Sequence, residues 1–359
     1  MNNTTTQLIE KILKNQRLSL EEGKTLYNSL DLLTLGALAN RIKERLHPDK
    51  CITFVVDRNI NYTNICICKC NFCAYYRSPD HPEAFLLSQE IIDQKIRETL
   101  AVGGTQILLQ GGLHPDLDIN YFLNLFSHIK KNLNITLHAF SPPEIIHIAR
   151  LSKLSIKKTL RRLKEAGLDS VPGGGAEVLV DRVRKKISPS KISVKEWLGV
   201  MEEAHKIGLP TTATMMFGSI DNPEDRLRHL ISIRELQDKT HGFTAFIPWS
   251  FQAANTKLPG YSTSGVEYLK MLAISRIMLD NFNNIQASWV TQGDKIAQVA
   301  LKFGANDLGS TMLEENVVKA AGLNFRMDQE DIIRLIKEAD YIPAQRDNVY
   351  NIIKVMKSE

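Results

Sequence analysis

The sequence predicts an α/β fold: a TIM-like (β/α) barrel with a helical N-terminal cap and a C-terminal extension. Three observations predict it. Strand-like and helix-like stretches alternate from Cys51 onward, the rhythm of a parallel sheet covered by helices. Turn residues recur where the strands should end, and no reversal point divides the series, which favours a barrel over an open doubly wound sheet. The chain has 359 residues, 43% of them hydrophobic and 24% charged, the size and make-up of one large globular barrel.

Residues 1–50 form the cap. Ile9–Leu13, Leu18–Leu30 and Asp31–Leu46 carry apolar residues at helical spacing, and His47-Pro48 stops the pattern. The barrel is assigned to 51–310. Its first strand is the β-branched run Ile52-Thr53-Phe54-Val55-Val56. Further strands are expected at Thr105–Leu109, Ile135–Ala139, Asp169–Val171, Thr211–Met216, Phe243–Ile247 and Ile285–Ser288. Helices are expected between them at Ser88–Val102, Ile119–Lys131, Ser155–Ala166, Val194–Ile207, Pro223–Gln237 and Val266–Phe282. Gly111-Gly112, Ser141-Pro142-Pro143, Gly173-Gly174-Gly175, Gly218 and Pro248 follow strands. In a parallel barrel such ends share one face, and that face carries the active site. Gly304–Ser310 reads as a turn-rich segment, Leu313–Ala321 as a helix and Asp328–Ala339 as the last long helix. Residues 311–359 are therefore read as a helical extension packed on the barrel, with no linker to a second domain.

The net charge of +5 is too mild for a dedicated nucleic-acid binder. The densest basic run, Arg182, Arg184, Lys185, Lys186 and Lys191, is either a solvated face or a lining that meets an anionic substrate. The N-terminus is polar and lacks the apolar core of a signal peptide. No run of about 18 apolar residues exists to cross a membrane. The expectation is a cytoplasmic protein with neither nucleic acid nor membrane as partner.

Four of the five cysteines, Cys66, Cys68, Cys70 and Cys73, lie within eight residues. Near neighbours cannot close useful disulfide loops, so the cluster reads as a metal site. Cys51 stands apart and reads as a small buried hydrophobe. Zinc usually takes its thiolates from two separated knuckles. A C-x3-C-x2-C loop can instead wrap one face of an iron–sulfur cubane and leave one iron open to a chelating molecule. That choice uses Cys66, Cys70 and Cys73 and leaves Cys68 without a ligand role.

C-x3-C-x2-C with Phe72 before the last cysteine resembles the radical S-adenosylmethionine superfamily. The resemblance continues through Asp57–Asn64, Ala74–Arg77, Gln110–Pro115, His138–Glu144, Gly173–Glu177, Gly304–Gly309 and Met312–Asn316. Together these are similar to the branch that holds the futalosine-pathway enzymes of menaquinone synthesis and the deazaflavin (FO) synthase components. Phe246–Gln252 and Gln286–Gly293 are most similar to the cyclic dehypoxanthine futalosine synthases. Two departures stand out: Cys68 inside the cluster loop, and Gln252-Ala253-Ala254-Asn255 in place of a Gln-Pro-Gly-Asn-like turn.

The resemblance implies a [4Fe–4S] cluster whose open iron is chelated by the methionine end of S-adenosyl-L-methionine. It implies an external one-electron donor, such as flavodoxin or ferredoxin, and dehypoxanthine futalosine as substrate. A 5′-deoxyadenosyl radical would take the ribose C4′ hydrogen. The sugar radical would add to the benzoate ring, and loss of an electron and a proton would restore aromaticity. Sister enzymes (aminofutalosine synthase, FO synthase component) share the cluster and differ in the substrate walls. A zinc-stabilised binding protein is the reading from another class.

Roles follow for particular residues. Phe72 flanks the adenine or simply packs. Gln110, Gly111 and Gly112 meet the methionine ammonium or form an ordinary βα turn, since glycine lets a backbone approach a ligand closely. Ser141 joins the cofactor-binding set. Glu177 and Glu144 are the carboxylate candidates for cofactor contact or for taking the proton, and His114 and His138 are candidates for moving it. Arg184 suits bidentate contact with a carboxylate. Trp249 and Trp289 either wall the benzoate ring or pack. Gly173–Gly175 lacks the Lys-Ser/Thr of a P-loop and the G-x-G-x-x-G spacing of a dinucleotide turn, so neither is assigned.

Overall fold

The computed structural model describes residues 3–260 and 262–356. Three cap helices, α1 (Asn3–Leu13), α2 (Leu20–Ser29) and α3 (Leu32–Leu46), lead into β1 (Cys51–Val55) and β2 (Asp57–Asn61). Then follow α4 (Gln89–Ala101), β3 (Gln106–Gln110), α5 (Ile119–Asn132), β4 (Thr136–Ala139), α6 (Pro142–Leu151), α7 (Ile156–Ala166), α8 (Asp181–Ile187) and α9 (Val194–Lys206). The second half runs β5 (Thr211–Phe217), α10 (Pro223–Thr240), β6 (Phe243–Ser250), α11 (Gly265–Met278), β7 (Asn284–Ile285), α12 (Trp289–Ala300) and β8 (Asp307–Ser310). Last come α13 (Val317–Ala320), α14 (Gln329–Glu338), β9 (Ile342–Arg346) and β10 (Ile352–Val355).

The helices begin where side chains can accept from their first free N–H groups. Ser19, Ser193, Asn222 and Asp328 each form a reciprocal capping box. The strands close a parallel ring. β2, β3 and β4 pair in order, bridges at Ser170 and Val171 join β4 to β5, and β5, β6 and β7 continue. A bridge from Gln286 to Asp307 leads to β8, which pairs with β1. β1 and β2 are successive halves of one run parted at Val56, and Thr311 and Leu313 extend the β8 side by donating to Val55 and Asp57 carbonyls.

Several expectations are corrected. The polar stretch after Val56 is a strand, β2, so the cysteine loop follows β2. Gly304–Ser310 is not only a turn: Asp307–Ser310 is a buried strand completing the ring. Asp169–Val171 contributes bridges at Ser170 and Val171, and Ile285–Ser288 shortens to Asn284–Ile285. The helix expected at Leu313–Ala321 shortens to Val317–Ala320. The extension expected to be helical also carries β9 and β10, and β9 lies parallel to β1. Among the described residues no helix is long and apolar enough to cross a membrane.

The cap is tied on by buried polar contacts. Lys43 of α3 donates to the Leu301 carbonyl (2.7 Å) and the Tyr341 hydroxyl (2.5 Å), and burial pulls its pKa down to about 7.

Candidate active site

The loop after β2 carries all four clustered cysteines, and its backbone is fixed from several sides. Cys66 N–H donates to the Arg77 carbonyl, Ile67 N–H to Leu113, and Cys73 N–H to Cys70. Asn71 is the hub: its N–H donates to the Ile187 carbonyl and its side chain to that of Lys186, while its own carbonyl accepts from Lys257 N–H. Gly112, just beyond β3, must lack a side chain. A Cβ there would lie 2.1 Å from the Ile65 carbonyl oxygen and 2.8 Å from Cys66 Cβ. The end of β3 thus touches the cysteine loop directly.

The thiols are free, and their donor set suits a soft metal cluster. Hydrogen bonding from the Cys68 thiol lowers Cys66 to about 5 and also lowers Cys70, while Cys68 itself is held protonated by the same contacts. Burial pushes Cys73 up. Cys68 Sγ lies 3.6 Å from the Ser190 carbonyl and borders a small side cavity of about 110 Å³ shared with Pro143 and His147. Among the described residues no three His, Cys, Asp or Glu side chains converge on a single-ion geometry.

Beside the loop, Glu177 is 5% exposed. Its Oε1 accepts from Lys191 Nζ (2.9 Å) and its Oε2 from Arg184 (3.3 Å). Burial opposes the charge on Lys191, but Glu177 and Cys70 outweigh it and raise the pKa. Lys191 Nζ also sits 5.1 Å from the Phe72 ring centre, a cation–π contact. Arg184 is 3% exposed, and its fork is spent on the Gly175, Ala176 and Ile192 carbonyls. It is therefore neither part of a solvated face nor free to grip a ligand carboxylate. The basic run splits: Arg184 is buried, Lys191 is half-buried, Arg182 pairs with Asp225, and Lys185 and Lys186 stay exposed.

Glu144 opens α6 and is 3% exposed. It accepts from the Tyr62 hydroxyl (3.0 Å), Gly111 N–H (3.0 Å) and the Ser141 hydroxyl (2.6 Å). Burial outweighs these donors and pushes the carboxyl up to about 7. Glu144 and Ser141 thereby brace the Gly111 turn. Gln110 caps β3, donating to the Phe140 carbonyl (3.0 Å).

A cavity of about 290 Å³ fills the barrel, near the lower end of ligand-site sizes. Gln110 and Gly174 line it next to the cysteine loop, and Trp249 and Trp289 wall it. Trp289 is anchored by an Nε1–H bond to the Ser310 carbonyl (2.9 Å). Of the four residues assigned to proton transfer, His138 alone lines this cavity. It stands within β4, with Nδ1 2.6 Å from the Ser170 hydroxyl, and burial lowers it to about 3, so the ring is neutral. His114 is outside: its Nδ1 accepts from Asp116 N–H (3.2 Å) and its carbonyl takes the His147 ring (2.7 Å). The chain turns outward after Gly112, which removes His114 from the barrel.

Sequence reasoning missed the polar floor of this cavity. Asp57 accepts from the Ser310 hydroxyl and from Gln106 Nε2 (2.7 Å), and burial raises its pKa. Gln106 Oε1 is buried with no hydrogen-bond partner. Arg346 reaches in from β9 and pairs with Asp307. The available signal was the alternation Asp57, Asn59, Asn61, which points polar groups inward from one strand.

Comparison with known proteins agrees with this geometry. Residues 60–232 match the radical SAM superfamily model, and residues 240–359 match the CofH/MqnC C-terminal region. The chain is 46% identical over 356 residues to the cyclic dehypoxanthine futalosine synthase of Halalkalibacterium halodurans, covering 98% of this chain and 96% of that protein. It is 43% identical over 322 residues to the 5-amino-6-(D-ribitylamino)uracil–L-tyrosine 4-hydroxyphenyl transferase of Archaeoglobus fulgidus, covering 88% and 92%. The FeFe-hydrogenase maturase HydG of Carboxydothermus hydrogenoformans has the same fold, with a TM-score of 0.76 at 19% identity over 96% of this chain and 80% of that one. The chain belongs to the radical SAM superfamily and, within it, to the family that carries the CofH/MqnC C-terminal region.

Proposed function

We propose that the chain is an enzyme that converts dehypoxanthine futalosine to cyclic dehypoxanthine futalosine, with a [4Fe–4S] cluster on Cys66, Cys70 and Cys73. The observation that carries this reading is the likeness to the H. halodurans synthase along both chains, 46% over 98% of this one. When bound, the cluster and S-adenosylmethionine supply a carbon radical that takes a hydrogen atom; binding, orientation and proton transfer fall to the chain.

Phe72, held by Lys191, borders the adenine, and Gln110, Gly111 and Gly112 present backbone to the methionine end. Glu144 and Ser141 act by positioning that turn. Glu177 and Arg184 act by fixing Lys191 and the Gly173–Gly175 loop. Trp249 and Trp289 keep the substrate's benzoate ring over the ribose, and the apolar wall keeps water from the radical. Rearomatising the cyclised ring requires loss of a proton and an electron, and the electron would pass to a one-electron acceptor, the oxidised cluster or an oxidised carrier. His138, which alone of the four candidates lines the cavity, is the proton acceptor and takes the proton against the burial that disfavours its charged form, with Asp57 and Gln106 below it completing a polar floor.

The test is turnover of the reconstituted, reduced enzyme with S-adenosylmethionine and dehypoxanthine futalosine. Cyclic product with equimolar 5′-deoxyadenosine is expected. His138→Gln should still form 5′-deoxyadenosine but lose cyclic product by about 10²-fold or more. Formation of 5′-deoxyadenosine only with tyrosine or an enolpyruvyl benzoate would replace the assignment with a sister reaction.

A further inference from the structure

Two adjacent glutamates follow β8 and are used differently. Past Ser310 the chain stays beside the first strands: Thr311 N–H donates to the Val55 carbonyl and Leu313 N–H to that of Asp57, which brings Glu315 next to Asn59. Glu314 is spent outside the cavity, on Lys95 (2.5 Å) and Arg58 (3.8 Å). Glu315 is half-buried and lines the barrel cavity, and it takes part in no ion pair found among the described residues. Its Oε1 accepts from the Val317 and Val318 N–H groups (2.7 and 2.9 Å), and its Oε2 accepts from Asn59 Nδ2 (2.9 Å).

A carboxylate offers about four acceptor positions, and three are taken here. The remaining one is on Oε2, the oxygen beside Asn59, and Asn59 lines the same cavity. All three donors are neutral. The other acids and bases of the cavity are disposed otherwise: Arg346 is paired with Asp307, His138 is neutral, and burial favours a proton on Asp57. A ligand group that meets Glu315 must therefore bring an O–H or N–H donor, and an anionic group is turned away. Asn316, the next residue, donates to Asn61 Oδ1 (3.4 Å), and β2 leads from Asn61 into the cysteine loop. Glu315 thus stands toward the cluster end of the cavity. Trp249 lines it from β6, on the other side of the ring.

We propose that Glu315 is a specificity residue for the substrate, its Oε2 accepting from a hydroxyl of the ribose of dehypoxanthine futalosine. This contact sets the direction in which the substrate lies. The ribose, which gives up the hydrogen atom, is held at the cluster end. The benzoate carboxylate is kept from that end by like charge, and its ring is left to the tryptophans. Three donors already fix the Glu315 carboxylate, so little side-chain freedom is lost there on binding. The proposal rests on the reading of dehypoxanthine futalosine as substrate, and it adds which group of that molecule is recognised and by which residue.

The experiment is anaerobic calorimetric titration of the cluster-loaded, unreduced enzyme with S-adenosylmethionine present, so that ligands bind without turnover. The ligands are dehypoxanthine futalosine and three analogues, each lacking one ribose hydroxyl. For the wild type, one analogue should bind about tenfold or more weakly than the parent, as expected for loss of a hydrogen bond to a charged acceptor. Glu315→Gln keeps an acceptor oxygen for the α13 N–H groups. It should lose about as much on the parent and show no further penalty with that analogue. Glu314→Gln should match the wild type with every ligand. A purely structural role for Glu315 would weaken all four ligands alike and leave the hydroxyl penalty in place. That result, or equal binding of all four ligands to the wild type, overturns the proposal. Iron content and affinity for S-adenosylmethionine should be unchanged in Glu315→Gln. Should it fail to load iron, Glu315→Asp, which withdraws the carboxylate by one methylene, is read in its place, and an undiminished hydroxyl penalty there overturns the proposal. A wild type that binds tyrosine but not dehypoxanthine futalosine removes the substrate reading and this contact together. Turnover of dehypoxanthine futalosine with no penalty that depends on Glu315 removes the contact alone.

Discussion

Replacing Arg346 by methionine tests how the C-terminal strand is fastened into the barrel. Arg346 Nε lies 2.6 Å from Asp307 Oδ2 and Nη2 lies 3.1 Å from Oδ1, with the side chains only 5% and 0% exposed. The pair joins β9 to β8 across β1. Asp307 keeps two further donors, the Thr53 hydroxyl (2.6 Å) and Gly309 N–H (2.8 Å). Methionine fills most of the arginine volume, so the loss is chiefly electrostatic: a carboxylate left in a sealed site with two neutral donors. Removing one partner of a buried pair costs about 3–5 kcal/mol. Adding Asp307→Asn removes the stranded charge and should recover about 2 kcal/mol, giving a clear coupling energy. Urea unfolding of the four proteins at neutral pH, followed by far-ultraviolet circular dichroism, supplies the cycle. A single-variant cost below about 1 kcal/mol, or costs that add within about 0.5 kcal/mol, would refute the view that this pair holds the extension.

Three further outcomes are expected. Alanine at Cys66, Cys70 or Cys73 should each abolish iron loading on anaerobic reconstitution, whereas Cys68→Ala should keep it, as judged by iron and sulfide per chain; loss with Cys68→Ala would make it a ligand. Gly112→Ala should cost about 1–3 kcal/mol by overpacking and displace the cysteine loop, lowering iron content, while Gly199→Ala, inside α9 with nothing within 4 Å of its Cβ, should leave iron content unchanged and stabilise by about 0.5–1 kcal/mol. Glu144 is pushed up to about 7 from its ordinary 4.5, so between those pH values the folded chain holds a proton that the unfolded chain releases. Its contribution is therefore complete below about pH 4.5 and is lost as pH rises through 7, about 3 kcal/mol in all. Glu144→Gln should flatten that part of the urea-midpoint profile, and parallel profiles would contradict the shift.

The sequence made the regular parts legible for a simple reason. β3, β5 and β6 are apolar runs, and helices such as α4 and α9 begin at capping serines whose signal lies within a few residues. What stayed hidden was hidden by function or geometry. β2 has polar residues at alternate positions because Asp57, Asn59 and Asn61 face the interior or its rim, so it does not look like a strand. β8 contains Asp307 and Gly309, and composition suggests a turn, yet each of its residues is buried. α6 starts with Pro142-Pro143, which marks a turn as readily as a first helical turn. The cysteine loop was legible because its C-x3-C-x2-C spacing is local. Asp57, Asp307 and Arg346 are distant in the chain and become neighbours only through the pairing of β9 and β8 with β1.

The distribution of charge inside the barrel suits a shielded reaction. Toward the barrel Glu177 is paired with Lys191 and Arg184 and Asp307 with Arg346, while Glu315 accepts from the Asn59 side chain and from the Val317 and Val318 N–H groups. His138 is neutral there, and burial favours a proton on Asp57 and Glu144. A carbon radical formed in such a space meets aromatic walls and a fixed polar floor, and a substrate anion finds no loose cation to draw it out of register. Fixed pairing of this kind serves a reaction that must be shielded from solvent and from stray charge.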